Sequence, residues 1–233
     1  MEIMQQIPDG AADLILCDLP YGMTDCAWDS QLPLAPLWEQ YNRIAKPNAA
    51  VLLFGVQPFT TTLIQSNRKN FRYCWYWQKN NVTGAPFAKV QPMRCIEDIA
   101  VFYRAKPTYN PQGLTKLEKP IYKRGPNRAG VYDKFRGKPA PQKYKGYPKH
   151  LLKIDNVGTS SKKRLHPTQK PVPLLEYLIK TYTNPGGLVL DNCMGSGSTG
   201  VAARNTGRRF VGIEKDAAYF CKAAARIDDP AAM

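Results

Sequence analysis

The chain has 233 residues, 43% of them hydrophobic, and a formal net charge of +15. That is too apolar for a disordered polypeptide and long enough for one well-cored domain with an insertion. No apolar run approaches the length of a membrane span, and the opening "MEIMQQIPDG" has neither the basic flank nor the apolar centre of a signal peptide, so a cytoplasmic chain away from any membrane is expected.

In chain order, Ala12 to Cys17 reads as a buried strand, Leu34 to Ala45 as an amphipathic helix and Ala50 to Gly55 as a second buried strand, an α/β rhythm. The first strand stops oddly, on Asp18-Leu19-Pro20-Tyr21. Phe71 to Lys79 and Glu97 to Arg104 read as further strands rich in aromatic and β-branched residues, with Trp75 and Trp77 on one face and expected in the core.

The next stretch breaks the pattern. From Arg104 to Arg164 there are 17 Lys and Arg against three acids, which leaves the rest of the chain near +1. Seven prolines and six glycines between Lys106 and Leu165 interrupt any sustained helix or strand period, and Tyr109, Tyr122, Tyr132, Tyr144 and Tyr147 are interleaved among the bases. A solvated basic loop is the bland reading; so dense a positive charge with rings able to stack on bases fits a nucleic-acid partner better. Candidate nucleic-acid-binding residues are Lys116, Lys123, Arg124, Arg128, Lys134, Arg136, Lys138, Lys143 and Lys145. The organisation read from this is a first half over 1–103, a basic insertion over 104–165 and a second half of the same domain over 166–233.

After the insertion come a helix beginning near Pro171, a strand from Gly187 to Asp191, the turn "NCMGSGSTG", a helix, a strand from Arg209 to Glu214 and a last helix to about Arg226. Gly195, Gly197 and Gly200 spell G-x-G-x-x-G between strand and helix, where backbone amides can face a cofactor, and Glu214 ends the following strand, where a ribose is held. Val201 in place of Lys after the last glycine excludes a phosphate-binding P-loop. A dinucleotide oxidoreductase would need a second nucleotide half, for which the 19 residues beyond Glu214 leave no room unless the order is permuted. The six cysteines lack any C-x-x-C pair and only two histidines accompany them, so free thiols and no metal are expected.

Three segments together resemble the DNA amino-methyltransferases. Asp18-Leu19-Pro20-Tyr21 matches their [DNS]-P-P-[YFW] motif except at Leu19, "DNCMGSGSTG" is similar to their cofactor motif with Cys193 where Phe is common, and "HPTQKP" (His166 to Pro171) matches the segment that precedes the cofactor strand. Their order, with the catalytic motif first, resembles the circularly permuted β group, in which the insertion recognises the target. Relatives carry a short strand ending near Gly-Asp-Cys ahead of the helix at "MEIMQQIP", and this chain begins after it.

The resemblance implies an α/β fold, a Rossmann-like methyltransferase sheet with helices on both faces. It implies transfer of a methyl group from S-adenosylmethionine to an exocyclic base nitrogen of double-stranded DNA. Asp18 and the Leu19 carbonyl would accept from the amine, Pro20 would stiffen the loop and Tyr21 would stack on the flipped base. On the cofactor side stand His166, Lys170, Asp191, Asn192, Gly195, Ser196, Gly197 and Glu214. Lys79 and Asn80 fall near the flipped base without an assigned role. Asp as the first motif residue favours adenine N6 over cytosine N4; a DNA-binding protein of this fold without catalysis is the alternative of a different class. The resemblance also suggests a prokaryotic or phage-encoded, nucleoid-associated protein, a restriction-modification context and a homodimer as one open state.

Overall fold

The apolar run "ADLILC" forms the first strand of a computed structural model that describes residues 2–22, 31–122, 141–157 and 169–229. The elements follow as α1 (Glu2–Gln5), β1 (Ala12–Cys17), α2 (Leu34–Ile44), β2 (Ala45–Gly55), α3 (Phe59–Ser66), β3 (Phe71–Thr83), β4 (Arg94–Phe102), β5 (Thr115–Ile121), β6 (Gln142–Lys145), β7 (Leu151–Lys153), α4 (Val172–Tyr182), β8 (Leu188–Asp191), α5 (Ser198–Asn205), β9 (Arg209–Gly212) and α6 (Ala217–Asp228). Two units result, one from Met1–Asn110 with His150–Met233 and the other from Pro111–Lys149.

The first unit is built on a seven-stranded sheet of order β7-β3-β4-β2-β1-β8-β9. Its ladders are parallel except at β4, which runs antiparallel to both β2 and β3. A mostly parallel sheet needs both faces covered, and β1 shows how: Leu14 and Leu16 enter one core and Ile15 and Cys17 the other. On the Ile15 face, α2 contributes Leu37, Trp38, Tyr41 and Ile44, one stripe at helical spacing, and α3 contributes Phe59 and Leu63. On the Leu14 face, α4 contributes Leu174, Leu175, Leu178, Ile179 and Tyr182, and α5 its Ala202 and Ala203. Trp75 and Trp77 are buried in this second core, as their shared strand face predicts.

The chain leaves β1 toward β2 on one side and β8 toward β9 on the other, so the carboxyl ends of the parallel neighbours β1 and β8 flank the point where the winding reverses. Ligands of open α/β sheets bind at that point. It brings Asp18, just past β1, beside Asp191, the last residue of β8.

Several boundaries differ from the sequence reading. Ala45 belongs to β2 and not to the preceding helix, β3 continues to Thr83, and β9 stops at Gly212, before Glu214. Helix α3 is absent from that reading because "FTTTLIQS" is rich in β-branched threonine and follows a proline. The basic segment is not wholly irregular. In the second unit β5 and β6 pair antiparallel, and their sequences "TKLEKPI" and "QKYK" have no apolar alternation because almost every side chain is exposed. Residues 150–157 belong to the first unit, where β7 extends the main sheet alongside β3 with Leu152 buried.

Within the second core, Tyr182 lies fully buried and its hydroxyl accepts from Trp75 Nε1 at 2.6 Å and lies 2.8 Å from the Tyr73 hydroxyl. Tyr182→Phe leaves the Trp75 N–H without a partner. It should lower the unfolding free energy by about 1–3 kcal/mol, read as a lower denaturant midpoint with an unchanged slope.

Candidate active site

The end of β1 carries the loop that the sequence singles out. Leu19 is buried in the first core, which anchors the loop, while Asp18 and Tyr21 turn toward a cluster of charges. The Tyr21 hydroxyl donates to Asp18 Oδ1 at 2.7 Å and to Glu97 Oε1 at 3.2 Å. Lys170, two residues before α4, puts its ammonium 2.5 Å from Asp18 Oδ2 and 3.0 Å from Glu97 Oε1. Lys79 on β3 takes the other Glu97 oxygen at 2.6 Å. Both ammonium groups also lie over rings, Lys170 at 5.0 Å from the Phe54 centroid and Lys79 at 5.1 Å from that of Trp77.

Two carboxylates thus share two ammonium groups, unequally. Burial pushes Glu97 up, but Lys170 and Lys79 together overcome it and hold this carboxyl below the usual range. At Asp18 burial outweighs the opposing Lys170 charge and the Tyr21 hydrogen bond, and the Glu97 charge adds to the push, so its carboxyl lies above the usual range. Lys170 is disfavoured by burial and yet held firmly protonated by Asp18 and Glu97. Burial and the two adjacent carboxylates raise the Tyr21 phenol well above its ordinary value, so it stays a donor. One side of Tyr21 packs on Phe59, ring centroids 5.0 Å apart.

The glycine turn is the second half of the site. Asp191 accepts from Thr199 Oγ1 at 2.6 Å and from the Cys193 amide at 3.1 Å, bonds that fold the turn around it. Burial pushes its carboxyl up to about 6, with the Thr199 and Cys193 bonds pulling the other way. The Asn192 side-chain oxygen accepts from the Tyr41 hydroxyl at 2.5 Å, which ties the turn to α2. Ser196 is buried, and Arg226 from α6 donates to its carbonyl at 2.9 Å and to Ser198 Oγ at 3.0 Å. Glu214 accepts from the Gly195 amide at 2.8 Å and from the Asp216 amide at 3.0 Å, so two backbone groups orient its carboxylate. Gly195 has φ 51° and open space where a side chain would begin, whereas at Gly197 (φ 76°) a Cβ would press on Ala223. The first glycine leaves room for a ligand against the backbone and the second permits close packing of α6.

The structure therefore brings together Asp18, Tyr21 and Lys170 on one side and Asp191, Asn192, Gly195, Ser196, Gly197 and Glu214 on the other. Lys170 is placed against Asp18 and Glu97, beside the loop that follows β1. His166 lies outside the described residues, as do Lys123, Arg124, Arg128, Lys134, Arg136 and Lys138. Lys116, Lys143 and Lys145 are exposed on the β5–β6 ribbon of the second unit, Lys116 directly across from Tyr144. Glu97 is the residue the sequence reading missed. It is 4% exposed and shares a face of β4 with Ile99 and Val101, so an acid in phase with a strand's buried positions was the available signal. Among the described residues no cluster of three or more His, Cys, Asp or Glu could hold a metal, and no helix is long and apolar enough to cross a membrane.

A family model described as DNA methylase, that of the N6 and N4 methyltransferases, matches residues 12–225, and the chain belongs to this family. Among curated proteins it is similar to the DNA adenine methyltransferase YhdJ of Escherichia coli K12, 28% identical over 240 residues that cover 97% of this chain and 79% of the relative. Among solved structures it is similar to the complex of M1.HpyAVI with S-adenosylmethionine, 26% identical with TM-score 0.62, covering 97% of this chain and 94% of that one. The cytosine-N4-specific PvuII DNA methyltransferase shares the fold at TM-score 0.71 and 16% identity, over 99% of this chain and 84% of the other. This is a DNA methyltransferase fold of the N6/N4 family.

Lys170→Met tests the charge cluster. Removing one partner of a buried pair leaves the other charge uncompensated, and the unfolding free energy should fall by about 3–5 kcal/mol. Without the ammonium, Asp18 is raised further above its unfolded value, so the stability that Asp18 contributes is fully present only below about pH 4 and is lost as pH rises through the raised folded value. Denaturant unfolding at pH 5 and pH 8 should show the larger deficit at pH 8.

Proposed function

We propose that this chain transfers a methyl group from S-adenosylmethionine to the exocyclic N6 of an adenine turned out of duplex DNA. The observation that carries the reading is the meeting of Asp18 and the glycine turn at the carboxyl ends of β1 and β8, donor site and acceptor site a few residues apart in space but far apart in sequence. Adenine is favoured by Asp18 as the first motif residue and by the adenine specificity named for the relative YhdJ.

The cofactor supplies an already activated methyl group, so this chain's residues have to bind, orient and accept hydrogen bonds. Gly195 lets the backbone approach the cofactor, and Gly197 supports it by letting α6 pack close behind the turn. Glu214, oriented by the Gly195 and Asp216 amides, keeps lone pairs free for the ribose hydroxyls. Asp191 answers the cofactor's ammonium. An adenine amine is a poor nucleophile because its lone pair is delocalised into the ring. The Asp18 carboxylate and the Leu19 carbonyl draw its two N–H bonds out of the ring plane, which returns electron density to the nitrogen. Tyr21 donates to Asp18 and holds it in register, and Pro20 fixes the direction of the preceding carbonyl. The basic Pro111–Lys149 unit supplies phosphate contacts.

The deciding experiment is incubation of mixed-sequence duplex DNA with the protein and labelled cofactor, followed by digestion to nucleosides. N6-methyladenine is the expected product; N4-methylcytosine would overturn the choice of base, and binding without any transfer would overturn the enzymatic reading. Asp18→Ala should abolish transfer and leave the cofactor dissociation constant within about twofold, since the acid is assigned to the base; on Coulomb grounds a large change in that constant would reassign it.

Cofactor affinity should depend on pH through Asp191. Its free carboxyl, raised to about 6, must ionise to hold an ammonium, so the dissociation constant should be flat above that value and rise about tenfold per unit below it. Asp191→Asn should bind weakly and remove the dependence. Titration calorimetry from pH 5 to 8 measures both.

A further inference from the structure

The β3–β4 hairpin runs on past the charge cluster. Trp77 pairs with Glu97 and Gln78 with Ile96, after which the register slips and the next partners are Thr83 and Arg94. From residue 80 to residue 96 every position except Gly84 and Cys95 is exposed. A short 3-10 turn, Ala85–Phe87, entered through Gly84 at φ 95°, caps the tip.

What the tip exposes is not what a plain hairpin turn exposes. Phe87 is 55% and Val90 82% exposed, and Val82, Met93 and Ile96 are exposed beside them. From Gln78 to Ile96 no residue is acidic, while Lys79, Lys89 and Arg94 are basic. An apolar tip whose only charged neighbours are cations suits a partner that offers flat apolar faces within an anionic frame, which describes the bases and phosphates of DNA. Position argues the same way. At the root of the hairpin Lys79 holds Glu97 at 2.6 Å, and Lys170 links Glu97 to Asp18. The tip therefore extends from the edge at which a target base would arrive.

We propose that the β3–β4 tip is a DNA-contacting element, in which Phe87 and Val90 press into the base stack beside the target nucleotide while Lys89 and Arg94 lie on phosphates. The inference rests on the DNA reading given above. A base turned out of a duplex leaves an unstacked step, and apolar side chains are what DNA-bending proteins insert at such steps.

The test uses the full chain, cofactor-loaded, with a mixed-sequence duplex. Phe87→Ala combined with Val90→Ser should weaken DNA binding about tenfold while leaving the slope of affinity against salt unchanged. Lys89→Glu combined with Arg94→Glu should reduce that slope by about 2. Cofactor affinity and melting temperature should match wild type in both. Unchanged DNA affinity in the Phe87 and Val90 variant overturns the proposal whatever the charge variant does. So does a change of oligomeric state in that variant with DNA affinity retained, which would assign the tip to contact between copies. A wild-type protein that binds cofactor but no DNA would instead sink the functional reading itself.

Discussion

A single ammonium group, set between the buried Glu97 and the partly exposed Asp18, holds the loop after β1 in place. Lys170 joins the end of β1, the middle of β4 and the approach to α4, three segments that sequence keeps far apart. With Lys79 the cluster has two acids and two bases, which is what makes burial of the acids tolerable. The charge that fixes the loop also opposes the upward push of burial on the Asp18 carboxyl.

The parts legible in the sequence are those where burial and backbone geometry leave a local trace. β1 alternates between two cores and from Leu14 to Cys17 reads as a continuous apolar run, α2 and α4 carry stripes at helical spacing, and the glycine turn needs residues that tolerate positive φ. Three motifs in one order led to a family that the whole-chain match bears out. The illegible parts depend on tertiary contacts. Lys170 sits in a recognisable segment, yet only the position of β4 decides that it faces Asp18. Glu97 lies on a strand face whose next positions, Ile99 and Val101, are apolar, and its partners come from β3, from the loop after β1 and from the approach to α4. The β5–β6 ribbon buries almost nothing, so no periodicity could announce it.

The glycine turn shows a different division of labour. Asp191 and Thr199 fold it from within, whereas Tyr41 and Arg226 hold it from outside, one from α2 and the other from α6. Glu214 serves both purposes, since the carboxylate assigned to the ribose also receives the Gly195 amide. A ligand that engaged Glu214 would act on the shape of the turn as well as on its charge.

The pairing of β1 with β8 bears on how the chain acquires its structure. Asp13 at the start of β1 accepts from the Leu188 amide, a partner 175 residues further along. During synthesis, β1 can meet β2 early, but its other edge has nothing to pair with until most of the polypeptide has emerged. At typical elongation rates of about 5–20 residues per second, that interval lasts on the order of ten to forty seconds. An apolar, β-prone edge left open for so long is where misassembly begins. The permuted order of the motifs therefore places a demand on the cell as well as on the fold, because the strand that leads into Asp18 has to wait for its neighbour.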